Sequence, residues 1–173
     1  MKRALLTSME DEHNNPQQGK ETTKVEVSLE IIVRSTEIDV NGHVNNAKYL
    51  EYMEWGREEW YERADLPYDR FLAMGIQTVT VNININYRRE CRQGDHLTIW
   101  TKPLRRGRTS FVLKQEILNE RGEVAADAEV TSVCMDVATR RSRPLPDELA
   151  RYFPTYNPDE SCGGLQDPAG KAE

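Results

Sequence analysis

The chain lacks any apolar run approaching the ~18 residues that a membrane span requires, and its three cysteines are too few for a disulfide framework. Cys91, Cys134 and Cys162 are an odd number and none stands at metal-ligand spacing from another, so neither a stapled secreted fold nor a zinc site is expected. After Met1-Lys2-Arg3 only Ala4-Leu5-Leu6 is apolar before polar residues resume, too short a stretch for the h-region of a secretory signal. A cytoplasmic protein with no membrane association is the expectation. Net positive charge is missing too: 23 Lys and Arg face 29 Asp and Glu, for a formal net charge of −6. Broad nucleic-acid binding needs a basic surface that displaces counterions, so no nucleic-acid partner is expected.

What is present suits one domain with one core: 173 residues, 38% of them hydrophobic, with no internal repeat and no shift in composition. Residues 1–23 are rich in Glu, Asn, Gln, Lys and Thr, and residues 155–173 mix Pro, Gly, Ser and Asp with little that is apolar. Both read as tails without chemistry, flanking a single domain over residues 24–154.

Inside that domain the pattern reads strand, helix, then four strands. Val25, Val27, Leu29, Ile31 and Val33 alternate with polar residues, which marks a strand with one buried face. From Tyr49 the period changes to that of a helix, with Tyr49, Leu50, Met53, Gly56, Trp60, Tyr61 and Ala64 on one face and glutamates elsewhere. Gly56 costs about 1 kcal/mol of helix propensity relative to Ala, so its presence predicts close backbone approach to a sheet. Phe71, Leu72 and Met74 are expected to seal one end of the core. Val79, Val81, Ile83, Ile85 and Tyr87 alternate with Thr80, Asn82, Asn84 and Asn86, and turns at Gly94, Gly107 and Gly122 separate three further strands. The expected product is an α+β antiparallel meander with a long helix laid on it.

The segment between the first strand and the helix, Glu37-Ile38-Asp39-Val40-Asn41-Gly42-His43-Val44-Asn45-Asn46-Ala47-Lys48-Tyr49, concentrates polar chemistry. Asp39, Asn41 and His43 alternate, so in an extended strand end they would point to one side, and Gly42 permits positive φ. Asn45 and Asn46 are candidate N-caps, and the helix they open aims unsatisfied N–H groups and a positive dipole end at whatever Asp39 faces. A plain polar turn capping a helix would use the same residue types.

This spacing resembles the signature of the hot dog thioesterases. The hydroxybenzoyl-CoA type has a comparable Asp-x-x-Gly turn, and the plant acyl-ACP type has a closer Asp-x-Asn-x-His-Val-Asn-Asn run. Tyr87-Arg88-Arg89-Glu90-Cys91 resembles a second acyl-ACP segment in the same order. The likeness spans roughly Val25 to Phe153 and implies a hot dog fold, an antiparallel sheet wrapped around a long central helix, in a homodimer or homotetramer whose sites lie between subunits. It also implies acyl-CoA or acyl-ACP thioester hydrolysis without metal or cofactor.

Thioester hydrolysis needs an activated water or a nucleophile, together with donors for the developing oxyanion. The resemblance to the hydroxybenzoyl-CoA enzymes makes Asp39 nucleophile or general base and gives the oxyanion to the Asn46 backbone amide at the helix tip. The acyl-ACP likeness adds Asn41 and His43 as orienting groups and Glu90 as a further carboxylate. A papain-like set of Cys91, His43 and Asn41 is a weaker alternative, because a cysteine at a strand end serves equally as a small apolar side chain. Some hot dog thioesterases take their acid from the helix, which would point to Glu54 or Glu58. Tyr49, Met53 and Trp60 are expected to line the acyl pocket.

The basic groups Arg88, Arg89 and Arg92, then Lys102, Arg105, Arg106 and Arg108, then Arg140, Arg141 and Arg143 would otherwise be solvated turns. Among them Arg88, Arg89, Arg106 and Arg108 are expected to meet a CoA nucleotide or a phosphopantetheine arm. The rival functions are a hot dog dehydratase or hydratase, and a non-catalytic acyl-thioester-binding protein.

Overall fold

A computed structural model describes residues 25–155. Strand β1 (Val27–Ile32) leads through a short 3-10 turn (Ser35–Glu37) to helix α1 (Asn46–Arg63) and the short helix α2 (Tyr68–Ala73). Four strands follow, β2 (Ile76–Tyr87), β3 (His96–Arg106), β4 (Ser110–Leu118) and β5 (Val124–Asp136), and a last turn of helix, α3 (Asp147–Ala150). The expected tails, 1–23 and 155–173, lie outside the described residues except for Thr155, which bridges to Arg106.

All five strands form one antiparallel sheet in the order β1-β3-β4-β5-β2, with α1 packed across β1, β3 and β4. This is the expected hot dog arrangement, with one correction to its connectivity. The meander covers only β3, β4 and β5; β2 pairs with β5 and not with β3. Residues 88–95 therefore cross from the β2 edge of the sheet to β3, the neighbour of the opposite edge strand β1. Gly94 N–H donates to the Val33 carbonyl and Val33 N–H to Asp95, so the crossover is fastened to the end of β1. Local alternation fixes that a segment is a strand and which face it buries, but not which strand it pairs with.

Alternation places the faces only beyond a bulge at Val81. Before it the phase is reversed, with Thr78 and Thr80 opposite the buried Cys134 and Ser132 and Val79 opposite Val133, against the expected single row from Val79 to Tyr87. Ile83, Ile85 and Tyr87 stand opposite Val130, Ala128 and Ala126 on the side toward the helix, while Asn82, Asn84 and Asn86 are exposed on the outer side beside Thr131, Glu129 and Asp127. Val81 is an extra residue in the β2 register and is exposed. Among the described residues no helix is long and apolar enough to cross a membrane.

Helix α1 buries a wider arc than one stripe, because the sheet curls around it. Tyr49, Tyr52, Met53, Gly56, Arg57 and Trp60 are buried, so Tyr52 and Arg57 join the expected face while Leu50 and Tyr61 are only half-buried. Arg57 is tolerated inside because its guanidinium donates to Gln115 Oε1 at 2.9 Å, and Gln115 Nε2 in turn donates to the Met53 carbonyl and to Thr101 Oγ1. A buried polar group paired in this way avoids the penalty of an unmade hydrogen bond.

At the far end Trp60 is fully buried, donates Nε1–H to the Val25 carbonyl and stacks edge-on against Tyr152 and Phe153. Truncating a side chain so enclosed typically costs about 3–5 kcal/mol. Phe71 is buried in the same cluster and Met74 packs on it, but Leu72 turns outward and is exposed, a departure from the expected seal.

The helix touches the sheet most closely at Gly56. A Cβ there would lie 2.6 Å from Ile99 Cγ2, 2.9 Å from Thr101 Oγ1 and 3.1 Å from Gln115 Nε2. Gly56→Ala gains about 1 kcal/mol of helix propensity but overpacks a fully buried contact at about 1–3 kcal/mol. We expect a lower melting temperature in thermal denaturation; an unchanged or raised one would contradict this packing.

Candidate functional site

The Asp39 segment is a closed turn and not the end of a strand. β1 stops at Ile32, and the turn that follows the 3-10 helix is pinned by an Ile38–Val44 bridge, by Asp39 N–H to the His43 carbonyl at 2.9 Å and by Gly42 N–H to the Asp39 carbonyl at 3.0 Å. Gly42 takes φ +81°, a left-handed conformation that side chains other than Asn or Asp rarely adopt. The expected one-sided row is thus replaced by a loop, yet the loop brings the same residues together.

Asp39 Oδ1 accepts from the Asn41 N–H at 2.8 Å, an Asx turn that fixes the carboxylate, and lies 3.7 Å from His43 Nδ1. The Asp39 side chain keeps 18% of its surface exposed and His43 keeps 36%, so both reach solvent. The His43 Nδ1 also sits 3.3 Å from the Val44 carbonyl.

Asn45 is the cap of α1: its side chain accepts from Ala47 N–H at 2.9 Å and its carbonyl accepts from Lys48 N–H at 2.9 Å. With Asn45 N–H donating to the Glu37 carbonyl at 2.9 Å, three of the four N–H groups that a helix start leaves without intrahelical acceptors are taken. The Asn46 N–H is the remaining one, and no acceptor among the described residues takes it. It stands at the positive end of the 18-residue helix.

The crossover closes the other wall. Val44 N–H donates to the Cys91 carbonyl at 2.8 Å, which ties residues 88–91 to the Asp39 turn and explains why two motifs 50 positions apart meet. An open cleft of about 460 Å³ results, lined by Asp39, Asn41, His43, Val44, Asn46, Tyr49, Tyr87, Arg88, Arg89 and Glu90.

Seven of the expected residues other than Asp39 thus line one cleft with it: Asn41, His43, Asn46, Glu90, Tyr49, Arg88 and Arg89. Met53 and Trp60 do not; both are fully buried between helix and sheet. Arg106 and Arg108 flank the β3–β4 hairpin at the opposite end of the sheet, where Arg106 N–H donates to the Pro154 carbonyl and Leu145 N–H to Arg108. Glu54 and Glu58 are exposed and line a separate hollow of about 720 Å³.

Tyr87 is a wall residue that the motif reading passed over, although its place in the Ile83, Ile85, Tyr87 alternation puts it on the inner face. Its hydroxyl donates to the Asn46 carbonyl at 3.1 Å, and its ring meets Tyr49 edge-on at 5.3 Å. Cys91 is buried beneath Tyr49, and burial pushes its thiol pKa up, which disfavours the thiolate a nucleophile would need.

Every arginine of the rim is paired. Arg88 binds Asp127, whose carboxyl Arg88 and then Asn86 hold below the usual range; Arg89 lies 3.5 Å from Glu123; Arg92 binds Glu90 at 2.7 Å. Exposed pairs of this kind are weak because solvent screens them, so a phosphate that offers bidentate contacts can displace them. Among the described residues no group of three His, Cys, Asp or Glu is placed to hold a metal ion.

The chain matches the Thioesterase-like superfamily over residues 33–153. It is 42% identical over 124 residues to the long-chain acyl-CoA thioesterase FadM of Escherichia coli strain K12, a match covering 71% of this chain and 93% of that protein. Among solved structures, YbaW of Escherichia coli is similar with a TM-score of 0.65 and 36% identity, over 73% of this chain and 98% of YbaW. A DHNA-CoA thioesterase from Staphylococcus aureus is similar with a TM-score of 0.63 and 26% identity, over 78% of this chain and 85% of that one.

Because Asn45 both caps α1 and leaves the neighbouring amide open, Asn45→Ala should cost about 0.5–2 kcal/mol of stability, whereas Asn45→Asp should cost almost none. Thermal melts of the two variants check this, and equal melting temperatures would contradict the capping role.

Proposed function

The chain belongs to the Thioesterase-like superfamily, and we propose that its Asp39 cleft hydrolyses acyl-CoA thioesters to free acid and CoA thiol. The observation that carries this reading is the pairing of a fixed, solvent-reachable carboxylate with an unoccupied helix-tip amide on the walls of one cleft.

The thioester carbonyl oxygen accepts from the Asn46 N–H, which strengthens its hold as negative charge gathers there in the tetrahedral state. Asp39 either removes a proton from a water that attacks the carbonyl carbon, or attacks that carbon itself to give an anhydride that water then opens. In both routes the C–S bond breaks after addition, and the sulfur leaves as a thiolate that takes up a proton from solvent. Asn41 holds the carboxylate through its N–H, while His43 and Glu90 face the same space and orient water or substrate. Tyr49 and Tyr87 offer an aromatic wall to the acyl group, and Arg88 and Arg89 sit where a pantetheine arm or nucleotide phosphate would leave the cleft.

The assembly we infer is a homodimer or a homotetramer built from it. Strand β2 is an edge of the sheet, twelve residues long, so a second copy can add its own β2 antiparallel to it. Two-fold pairing would set the Tyr87 end of one copy beside the Ile76 end of the other. That is the end of the sheet carrying Arg106 and Arg108, which would thereby approach the neighbouring cleft as CoA contacts.

Acyl-ACP is the alternative carrier, and a non-catalytic thioester binder the alternative of another class. Turnover of matched acyl-CoA and acyl-ACP substrates by the wild type and by Asp39→Ala tests all three. We expect acyl-CoA hydrolysis that Asp39→Ala reduces by about 10²- to 10⁴-fold. Preference for acyl-ACP would correct the carrier, and absence of turnover in the wild type would overturn the enzyme reading. Single-turnover reaction in ¹⁸O-water places label in Asp39 only by the anhydride route.

A further inference from the structure

Asn46 carries the open amide of the cleft, yet its side chain is exposed and packing does little to hold it. Its N–H belongs to the peptide whose carbonyl is that of Asn45, and Lys48 N–H fixes that carbonyl at 2.9 Å. On the other side of the Cα, the Asn46 carbonyl accepts from the Tyr87 hydroxyl at 3.1 Å, the one bond that residue 46 receives from outside α1 among the described residues. Peptides are planar, so the two bonds together set the planes on both sides of Asn46 and with them the direction of its N–H.

Tyr87 is built to hold a position. It ends β2 opposite Ala126 of β5, and the next two amides, of Arg88 and Arg89, both donate to the Ala125 carbonyl at 2.8 and 3.0 Å. Its ring meets Tyr49 edge-on at 5.3 Å, and Tyr49 sends its own hydroxyl to the Arg89 carbonyl at 3.4 Å. A phenol from the sheet thus reaches the helix start, and a phenol from the helix reaches the crossover. The strand end, the ring and the hydroxyl of Tyr87 are each fixed by a separate contact.

We propose that Tyr87 is a positioning residue for the oxyanion donor: its hydrogen bond to the Asn46 carbonyl aims the Asn46 N–H at the thioester oxygen while Asp39 faces the carbon. The proposal rests on the reading of the Asp39 cleft as the reaction site, and gives Tyr87 a role beyond that of an aromatic wall. Hydrogen bonds weaken steeply as their angle closes, so a tilt of the helix tip lowers the hold on the oxygen. The loss is greatest in the tetrahedral state, where the charge on that oxygen is greatest, and small for bound substrate, which the whole cleft holds.

The test is steady-state acyl-CoA hydrolysis by Tyr87→Phe and Tyr87→Leu, with thermal melts and Asp39→Asn in parallel. Inhibition is measured with free CoA and with a trifluoromethyl ketone analogue of the acyl-CoA, which water converts to a tetrahedral diol. We expect Tyr87→Phe to lower kcat by about three- to tenfold with KM changed less than about twofold. The ketone should bind more weakly by the factor that kcat falls, while CoA binds as before. Tyr87→Leu, which also removes the wall, should show the same fall in kcat together with a higher KM. Melting temperatures of Tyr87→Phe and wild type should be close, because the residue is exposed.

Wild-type kcat in Tyr87→Phe, a change confined to KM, or unaltered ketone affinity beside slower turnover would each overturn the role. So would a loss of turnover that only follows a lowered melting temperature. An inactive Asp39→Asn beside a fully active Tyr87→Phe refutes the positioning role alone, whereas an active Asp39→Asn refutes the site and the role with it.

Discussion

The closure of residues 38–44 on themselves and onto the crossover is the constraint from which the site follows. Three short backbone bonds, Asp39 N–H to His43, Asn45 N–H to Glu37 and Val44 N–H to Cys91, hold an acid, a helix start and the 88–91 segment within one cleft. None of these bonds involves a side chain, so the cleft's outline is independent of the residues that work in it. The chemistry then needs only an acid at the turn and an open amide at the tip, where the dipole and the unpaired N–H act together.

Rigidity beneath that cleft comes from how tightly α1 is set in the sheet. Gly56 removes the one side chain that would hold the helix off β3 and β4, and Gln115 bridges Thr101, the Met53 carbonyl and Arg57 in the resulting contact. At the C-terminal end Tyr152 Oη donates to the Ala64 carbonyl at 2.7 Å, so the helix is held at both ends by the chain that wraps it. A site whose acid lies on a loop and whose oxyanion donor lies on a helix depends on the two not moving apart. The fold supplies this by bonding the loop to the helix start and the helix to the sheet.

Much of this was legible in the sequence. Period-two runs placed the strands, Gly56 announced the close approach, and the spacing of Asp39, Asn41, His43 and Asn46 marked the turn and cap. Other features were not, and each for a physical reason. The pairing of β2 with β5 depends on which edge remains free after the helix has packed, and alternation carries no record of that. Tyr52, Arg57 and Glu37 are buried by the curl of the sheet around α1, a tertiary effect that makes the buried arc wider than an amphipathic stripe. Met53 and Trp60 share a helix face with Tyr49, but only the first turn of that face borders the cleft, and the helical period alone does not say where the wall ends. Arg106 and Arg108 lie at the far end of the sheet because the hairpin that carries them opens there.

The alignment of Asp39 with the Asn46 amide on a single thioester is most directly tested by the structure of a complex. A suitable ligand is an acyl-CoA analogue in which a methylene replaces the sulfur, leaving a ketone that cannot be hydrolysed. The account predicts the ketone oxygen at about 2.7–3.2 Å from Asn46 N, with the Asp39 carboxylate facing the same carbonyl carbon. A ketone bound beside Glu54 and Glu58, or one whose oxygen faces no helix start, would contradict it.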